Sequence, residues 1–147
     1  MPRPGFPFAT QFKVRYAEID GQRVVFNSRY LEYVDVAVTE YWAWTGIAAA
    51  LGPVWTDTEF HVRHCAIDYL KPLMLGDTVD TSVRIERIGG SSLTKRFEIA
   101  NQHGELCNVV DQTIVHVHLP TGRPMPIDGE LRQFLQALLT AQPDRVA

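Results

Sequence analysis

One carboxylate lies directly before a short loop and a long amphipathic segment, in the stretch AEIDGQRVVFNSRYLEYVDVAVTEYW. Asp20 precedes Asn27 by seven residues and Tyr30 by ten. Backbone N–H groups at a helix N-terminus are free to polarise a carbonyl oxygen or to hold a developing negative charge. An Asp-Gly pair taken alone is more often only a turn, but a carboxylate followed by a short loop and a capped helix is a minimal site for acyl transfer. Asp20 and Asn27 are therefore the catalytic candidates.

The segment after this loop has the periodicity of an amphipathic helix. Its apolar and aromatic side chains recur at i, i+3, i+4 and i+7, at Tyr30, Tyr33, Val34, Ala37, Val38, Tyr41, Trp42 and Thr45. Asn27 and Ser28 are good N-cap residues, and Gly46 can end a helix in the left-handed conformation. We predict a helix over 28–45, with Asn27 able both to cap it and to offer its backbone N–H to a bound oxygen.

The segments around the helix predict a sheet. Before Asp20, alternating apolar and polar residues predict a strand over 12–16. Turn residues then separate further extended segments, at 59–70, 79–85, 93–99 and 106–119. A final amphipathic helix after Asp128 is expected to cover a sheet edge or tail. One strand, one long helix and a meander is an α+β order, in a single domain over 1–147 with a core at about 10–140. The terminal stretches MPRPGFPF and AQPDRVA are expected to be disordered or loosely docked.

Composition limits the classes of protein. The chain has 147 residues, 46% of them hydrophobic, enough for one globular core. A net charge of −3 without a basic face argues against nucleic-acid binding. No apolar run suggests a membrane span or a secretory signal, so we expect a cytoplasmic protein. Cys65 and Cys107 are expected to be buried packing residues. No metal site is expected, because His61 and His64 point to opposite faces of a strand.

Taken in order, these features resemble the hotdog-fold acyl-CoA thioesterases of the 4-hydroxybenzoyl-CoA thioesterase type. The residues that carry the resemblance are Asp20, Val24, Val25, Asn27 and Tyr30, followed by the long strands over roughly residues 10 to 140. The resemblance implies a long central helix wrapped by a curved antiparallel sheet of five or six strands. It also implies hydrolysis of a hydrophobic acyl-CoA without a cofactor, in a homodimer or homotetramer whose acyl site lies between subunits.

The resemblance also implies roles for individual residues. Asp20 would act as nucleophile or as general base on water, and the amides of Val25 to Asn27 would hold the oxyanion. Glu18 is a weaker second carboxylate. Bulky side chains beside the loop predict a hydrophobic acyl site, formed by Val25, Phe26, Tyr30 and Tyr33. Coenzyme A would meet a glycine-containing turn among positive charges, at Arg87, Gly90, Ser91 and Ser92, together with Gly89, Lys95 and Arg96.

Two positions depart from the family pattern. Arg23 stands where a glycine commonly precedes the apolar pair, and Gly21 instead follows the aspartate directly, so a different loop shape is expected. The turn 89–92 lacks the basic cluster of some members, so the nucleotide is held elsewhere or the thioester is carried on a protein-bound pantetheine.

Other readings stay open. A hotdog enoyl-thioester hydratase or dehydratase would want a histidine at the central helix, and Arg15 to Thr45 contains none. A non-catalytic acyl-thioester binder would not need Asp20. The apolar helix, together with an expected free edge on the strand over 106–119, predicts self-association.

Overall fold

A computed structural model describes residues 1–145, and the last two residues of the predicted C-terminal tail lie outside the described residues. Six strands and four helices follow one another in chain order. The strands are β1 (Phe8–Lys13), β2 (Glu59–Tyr69), β3 (Thr78–Ile88), β4 (Ser92–Ala100), β5 (Leu106–His118) and the short β6 (Arg123–Pro124). The helices are α1 (Arg29–Thr45), α2 (Ile47–Leu51), α3 (Pro53–Thr56) and α4 (Gly129–Ala141), and a 3-10 turn covers Tyr16–Glu18.

The strands form one antiparallel sheet in the order β1-β3-β4-β5-β2, with β6 paired to β5. The expected free edge on the strand over 106–119 was wrong. β5 pairs with β4 on one side and with β2 on the other, so the long unpaired edge belongs to β2. Most residues of β2 are exposed, including Val62 with 61% of its surface accessible.

The central helix forms as its periodicity predicts. α1 spans 17 residues, about 26 Å at 1.5 Å per residue, and ends at Gly46, whose φ of 71° is left-handed. It packs against β1 and β3 and buries Tyr30, Tyr33, Val34, Ala37 and Tyr41. Val34, Ala37 and Tyr41 join one core cluster with Val83, Ile85 and Phe97. Tyr30 and Tyr33 join a second cluster near the N-terminus of the helix.

The chain ends are more ordered than the sequence suggests. β1 begins at Phe8 and ends at Lys13, so the predicted strand over 12–16 begins too late and extends too far; Tyr16 is 79% exposed. Within the expected N-terminal tail, Phe6 is buried and the Phe8 ring lies 6.0 Å from that of Tyr41. At the other end, the Gln142 side chain bonds both the N–H and the carbonyl of Ile85, at 2.7 and 2.9 Å.

The final helix also packs more deeply than expected. Leu131 and Leu135 of α4 are buried in the same core cluster as Val83 and Tyr41, rather than covering an edge. A long helix held in an antiparallel sheet is the hotdog arrangement that the resemblance implies, and the predicted α+β class is confirmed. No helix within residues 1–145 has the length and apolarity needed to cross a membrane.

Candidate active site

Asp20 begins a tight loop that its own backbone hydrogen bonds close. Its N–H donates to the Val24 carbonyl at 2.8 Å, and its own carbonyl accepts from the Arg23 N–H at 3.0 Å. Its Oδ1 accepts from the Gln22 N–H at 2.8 Å. Asp20 is thus a turn former through one carboxylate oxygen. Its Oδ2 has no hydrogen-bond donor among residues 1–145.

Arg23 gives this loop the shape that a glycine would allow. Its φ is 67°, the left-handed region, and it is the one non-glycine residue with positive φ in the described chain. Gly21 does not have a positive φ. Arg23 thus adopts a conformation that side chains disfavour and glycine accepts, and the expected difference in loop shape from the family stays a prediction.

A cavity of about 270 Å³ opens in front of Asp20 and is called the loop cavity here. Besides Asp20, its lining includes Val25, Asn27, Tyr30, Tyr69 and Lys71. The Tyr69 hydroxyl donates to the Asn27 carbonyl at 2.9 Å, and the Tyr30 hydroxyl accepts from the Leu73 N–H at 3.1 Å. The structure thus brings Asp20, Val25, Asn27 and Tyr30 together, while Phe26 is 46% exposed and lies outside this lining.

Two of the three amides assigned to the oxyanion are already occupied. The Val25 N–H donates to the Leu73 carbonyl at 2.8 Å, and the Phe26 N–H donates to the Glu18 carbonyl at 2.9 Å. The expectation that both would hold an oxyanion is corrected, because a donor engaged in a backbone hydrogen bond is not free for a ligand. Within residues 1–145 the Asn27 N–H has no such acceptor, so of the three assigned amides that of Asn27 is free.

Glu18 is held in a structural clamp behind the loop. Only 2% of it is exposed, and its carboxylate accepts from the Arg15 N–H at 2.9 Å, the Arg15 guanidinium at 2.6 Å and the Tyr33 hydroxyl at 2.9 Å. Burial alone would raise the pKa of the Glu18 carboxyl, but these hydrogen bonds outweigh it, and the pKa lies below its usual value. Glu18 therefore fixes the loop, and the idea of a second carboxylate at the site is corrected.

Tyr33 belongs to the core rather than to an acyl pocket. It is 1% exposed, its ring packs edge-on against Phe12 and Tyr30 at 5.3 and 5.7 Å, and it is absent from the lining of the loop cavity. Burial and the hydrogen bond to Glu18 raise the pKa of Tyr33 far above its usual value. Its predicted contact with substrate is corrected to a contact with the Glu18 clamp.

A second, larger cavity of about 540 Å³ runs beside α1 and is called the helix-side cavity. Its walls are mostly apolar, with Leu31, Val34, Val38, Trp42, Trp55 and Phe60 among them. Asp35 and Lys95 also line it. Its apolar character and size suit an acyl chain.

The residues predicted to bind coenzyme A lie far from Asp20 within one chain. Gly90 and Ser91 are held at the far end of the sheet, where their carbonyls accept from the Ile127 and His116 N–H groups at 2.8 Å. Ser92 pairs with Val115, near the Glu59 end of β2, whereas the loop cavity lies at its Tyr69 end. The structure of one chain therefore does not bring Arg87, Gly90, Ser91 and Ser92 to the Asp20 loop.

Lys95 cannot join the predicted positive surface for coenzyme A. Successive side chains of a strand point to opposite faces, and β4 turns Lys95 inward with 1% exposure while Arg96 points outward to Asp111 and Glu98. The expectation for Lys95 is corrected. The signal was present in the sequence, because Lys95 alternates in phase with the apolar Leu93, Phe97 and Ile99.

Tyr69 and Lys71 are site residues that sequence reasoning missed. They lie 42 and 44 residues beyond Asn27, and no local pattern links the two segments. Lys71 forms an ion pair with Glu105 at the rim of the loop cavity. Hydrogen bonds from the Tyr69 hydroxyl to the Asn27 carbonyl and from the Val25 N–H to the Leu73 carbonyl hold this segment against the Asp20 loop.

Comparison with known proteins gives a consistent result. The model of the thioesterase-like superfamily matches residues 14–135. The long-chain acyl-CoA thioesterase FadM of Escherichia coli (strain K12) is 26% identical over 134 residues, which cover 88% of this chain and 98% of FadM. A thioesterase from Thermus thermophilus, solved with coenzyme A and zinc, is 28% identical with a TM-score of 0.78, over 92% of this chain and 96% of that one.

A third match concerns the fold alone. The DHNA-CoA thioesterase of Staphylococcus aureus superposes with a TM-score of 0.77 at 22% identity, covering 90% of this chain and 92% of that one. Within residues 1–145, no group of three or more histidine, cysteine or acidic side chains is arranged to hold a metal ion.

Proposed function

The chain belongs to the thioesterase-like superfamily, and from that membership we propose that it hydrolyses the thioester of a hydrophobic acyl-CoA to the free acid and coenzyme A. The observation that carries the proposal is the loop cavity, which both Asp20 and Asn27 line, while the Asn27 N–H has no backbone acceptor within residues 1–145. A carboxylate and an oxyanion donor are the two groups that thioester hydrolysis needs most, because a thiolate leaves without strong acid catalysis.

The chemistry follows from these two groups. Asp20 takes the proton of a water whose oxygen attacks the carbonyl carbon, or it attacks that carbon itself and forms a mixed anhydride. In both routes the carbonyl oxygen gains negative charge beside the Asn27 N–H at the positive end of α1. The C–S bond then breaks, and the thiolate of coenzyme A departs. Tyr69 anchors the residue that carries this amide, through a hydrogen bond to the Asn27 carbonyl.

A second copy of the chain completes the site in this proposal. β2 is a free edge of eleven residues, roughly 35 Å long. Antiparallel pairing of β2 with its copy about a two-fold axis sets the Tyr69 end of one strand beside the Glu59 end of the other. The loop cavity of one subunit then faces the 89–92 turn of its partner, which supports the assignment of Arg87, Gly90, Ser91 and Ser92 to coenzyme A in a homodimer or homotetramer.

The test is hydrolysis of acyl-CoA esters by the wild type and by Asp20→Asn, followed with a thiol-detecting reagent. The asparagine keeps an oxygen for the Gln22 N–H, so the loop should fold, while turnover should fall roughly 100-fold or more. Asp57→Asn, an exposed carboxylate after α3, is the matched control and should retain full activity. A folded Asp20→Asn enzyme with near-normal turnover would eliminate the mechanism.

One labelling experiment separates the two routes. In a single turnover in water enriched in oxygen-18, water that attacks the Asp20 carbonyl of a mixed anhydride leaves the label in the Asp20 carboxylate, whereas water activated by a general base leaves it only in the acid product. Label in Asp20 therefore establishes the nucleophilic route. Running the same esters on a protein-bound pantetheine compares the carrier with free coenzyme A.

A further inference from the structure

Lys95 is a charged side chain on the core face of the sheet. It is 1% exposed and stands in phase with the buried Leu93 and Phe97 on β4. A lysine at such a position is unusual, because removing an ammonium from water is unfavourable unless a partner compensates it. The site of Lys95 therefore needs an explanation that packing alone does not give.

The protein itself gives this ammonium little compensation. Its Nζ lies 5.4 Å from the centroid of the Trp42 ring, a cation–π distance. Among residues 1–145, no carboxylate or carbonyl accepts a hydrogen bond from it. Burial lowers the pKa of Lys95 to about 8, and the Asp35 carboxylate acts in the opposite direction.

The open side of Lys95 is the helix-side cavity. Lys95 and Asp35 line the same space, whose remaining walls are largely aromatic and aliphatic. Asp35 is exposed, on the face of α1 that borders the cavity. A ligand in this cavity therefore meets a donor and an acceptor of opposite charge within an otherwise apolar surface.

The chemistry of this pair selects among acyl groups. A plain alkyl chain would leave the ammonium without an acceptor. A carboxylate on the chain would pair with Lys95 but would meet the negative charge of Asp35. A hydroxyl is compatible with both groups, since its oxygen can accept from an ammonium and its hydrogen can be donated to a carboxylate.

We propose that Lys95 and Asp35 form a specificity site for an aliphatic acyl group that carries a hydroxyl away from the thioester. This inference rests on the proposed thioesterase function in one respect, which is that the ligand is an acyl thioester. The two cavities adjoin the same helix, because Asn27 and Tyr30 line the loop cavity and Leu31 and Val34 line the helix-side cavity. A chain bound at Asp20 and following α1 would reach the specificity site with its distal part.

The experiment measures binding without turnover. S-dodecyl-CoA and a series of S-(hydroxydodecyl)-CoA thioethers, with the hydroxyl moved along the chain, have no carbonyl and cannot be hydrolysed. Calorimetric titration of the wild type should give tighter binding of at least one hydroxylated thioether than of the plain one, by roughly 10-fold. The plain thioether should bind Lys95→Met more tightly than it binds the wild type.

Two variants and one control decide the role of the charged pair. Lys95→Met should abolish the preference for the hydroxyl, and Asp35→Asn, on an exposed residue, should reduce it without affecting folding. Lys13→Met, an exposed lysine at the end of β1, should leave the preference unchanged. An equal affinity for plain and hydroxylated thioethers, or a preference that survives in both Lys95→Met and Asp35→Asn, would overturn the inference.

Hydrolysis of dodecanoyl-CoA by the wild type keeps the two proposals apart. Hydrolysis with no hydroxyl preference would remove only the specificity site. A hydroxyl preference in binding without hydrolysis of any ester would remove only the proposed reaction, and binding of neither thioether together with no hydrolysis of any ester would overturn both.

Discussion

Arg23 occupies a backbone conformation that suits glycine, and it does so in the loop that carries Asp20. Its φ of 67° is imposed by the closed loop, in which the Arg23 N–H bonds the Asp20 carbonyl and the Val24 carbonyl bonds the Asp20 N–H. Non-glycine residues in such conformations persist where the surroundings determine them, often beside functional groups. The strained backbone of Arg23 thus belongs to the same closed loop that positions the candidate catalytic carboxylate of Asp20.

Replacing Arg23 with glycine should relieve this strain. We expect Arg23→Gly to raise the free energy of unfolding by roughly 0.5–1 kcal/mol, because the left-handed conformation is open to glycine. Thermal or urea denaturation measures the change. Gln22→Gly, one residue away and without a positive φ, should instead destabilise the protein, and a fall in stability for Arg23→Gly would show that the loop is not strained.

Lys95 should make stability depend on pH in a way that Lys95→Met does not. The folded state holds this proton with a pKa of about 8, against 10.5 for an ordinary lysine. Between these two pH values the unfolded chain therefore binds more protons than the folded state does. The charge on Lys95 lowers the free energy of unfolding by its full amount below pH 8, and this loss becomes smaller as the pH rises. The advantage of Lys95→Met over the wild type should be about 2 kcal/mol larger at pH 7 than at pH 9.5.

Urea denaturation of both proteins at the two pH values provides the measurement. Burial also raises the pKa of Tyr33 and Tyr41, so titration of these groups affects stability at high pH, but it affects both proteins equally and cancels in the difference. A difference that is constant between pH 7 and 9.5 would contradict a charged Lys95 in the core.

At the scale of elements, the loop that carries Asp20 is fixed by contacts that join separate segments. The Glu18 clamp links the 3-10 turn after β1 to α1 through Tyr33, while the Glu18 carbonyl holds the Phe26 N–H. On the other side, the Leu73 backbone bonds both the Val25 N–H and the Tyr30 hydroxyl. The start of α1 is therefore held from two sides, which keeps the Asn27 amide in place beside Asp20.

Substitutions of Tyr33 test this support of the loop, because Tyr33 joins α1 to Glu18. We expect Tyr33→Ala to lower the free energy of unfolding by roughly 3–5 kcal/mol, as large-to-small aromatic changes in a core do, and to leave acyl-chain selectivity unchanged. Tyr33→Phe removes only the hydroxyl bonded to Glu18 and should cost about 1–3 kcal/mol. Melting temperatures and a chain-length series of acyl-CoA esters give both readouts, and an altered chain-length preference would return Tyr33 to the acyl pocket.

The whole molecule presents an unprotected sheet edge. β2 pairs with β5 on one side only, and exposed apolar side chains mark its length, among them Val62 at 61% and Tyr69 at 54%. A long apolar edge favours pairing with another strand. A copy of the chain related by a two-fold axis would satisfy this edge and close the helix-side cavity, to which Val62 contributes.

A charge on this edge should separate the subunits. We expect Val62→Glu to convert a homodimer or homotetramer into smaller species and to reduce turnover, because a two-fold axis brings like charges from both copies to the interface. Light scattering and thioester hydrolysis report the two effects. Leu119→Glu, at a similarly exposed residue after β5, is the control; equal dissociation by both variants, or a fully active wild-type monomer, would contradict assembly through β2.

The sequence by itself determined the features that depend on neighbouring residues. Periodicity predicted α1 within a residue of its observed start, and turn chemistry separated the strands from β2 to β5, because local backbone preferences act over a few residues. The order of Asp20, Asn27 and Tyr30 likewise predicted three residues that line one cavity. The inward orientation of Lys95 on β4 was also predictable from the sequence, since alternation along a strand decides which face of the sheet a side chain points to.

Only the tertiary structure decided the features that depend on pairing across the chain. Strand order made β2, rather than β5, the free edge, and hydrogen bonds between distant segments hold Tyr69 and Leu73 against the Asp20 loop. Hydrogen bonds to the Leu73 and Glu18 carbonyls occupy the Val25 and Phe26 amides and leave that of Asn27 open. No periodicity encodes these contacts, because each joins segments whose separation is set by folding and not by spacing along the sequence.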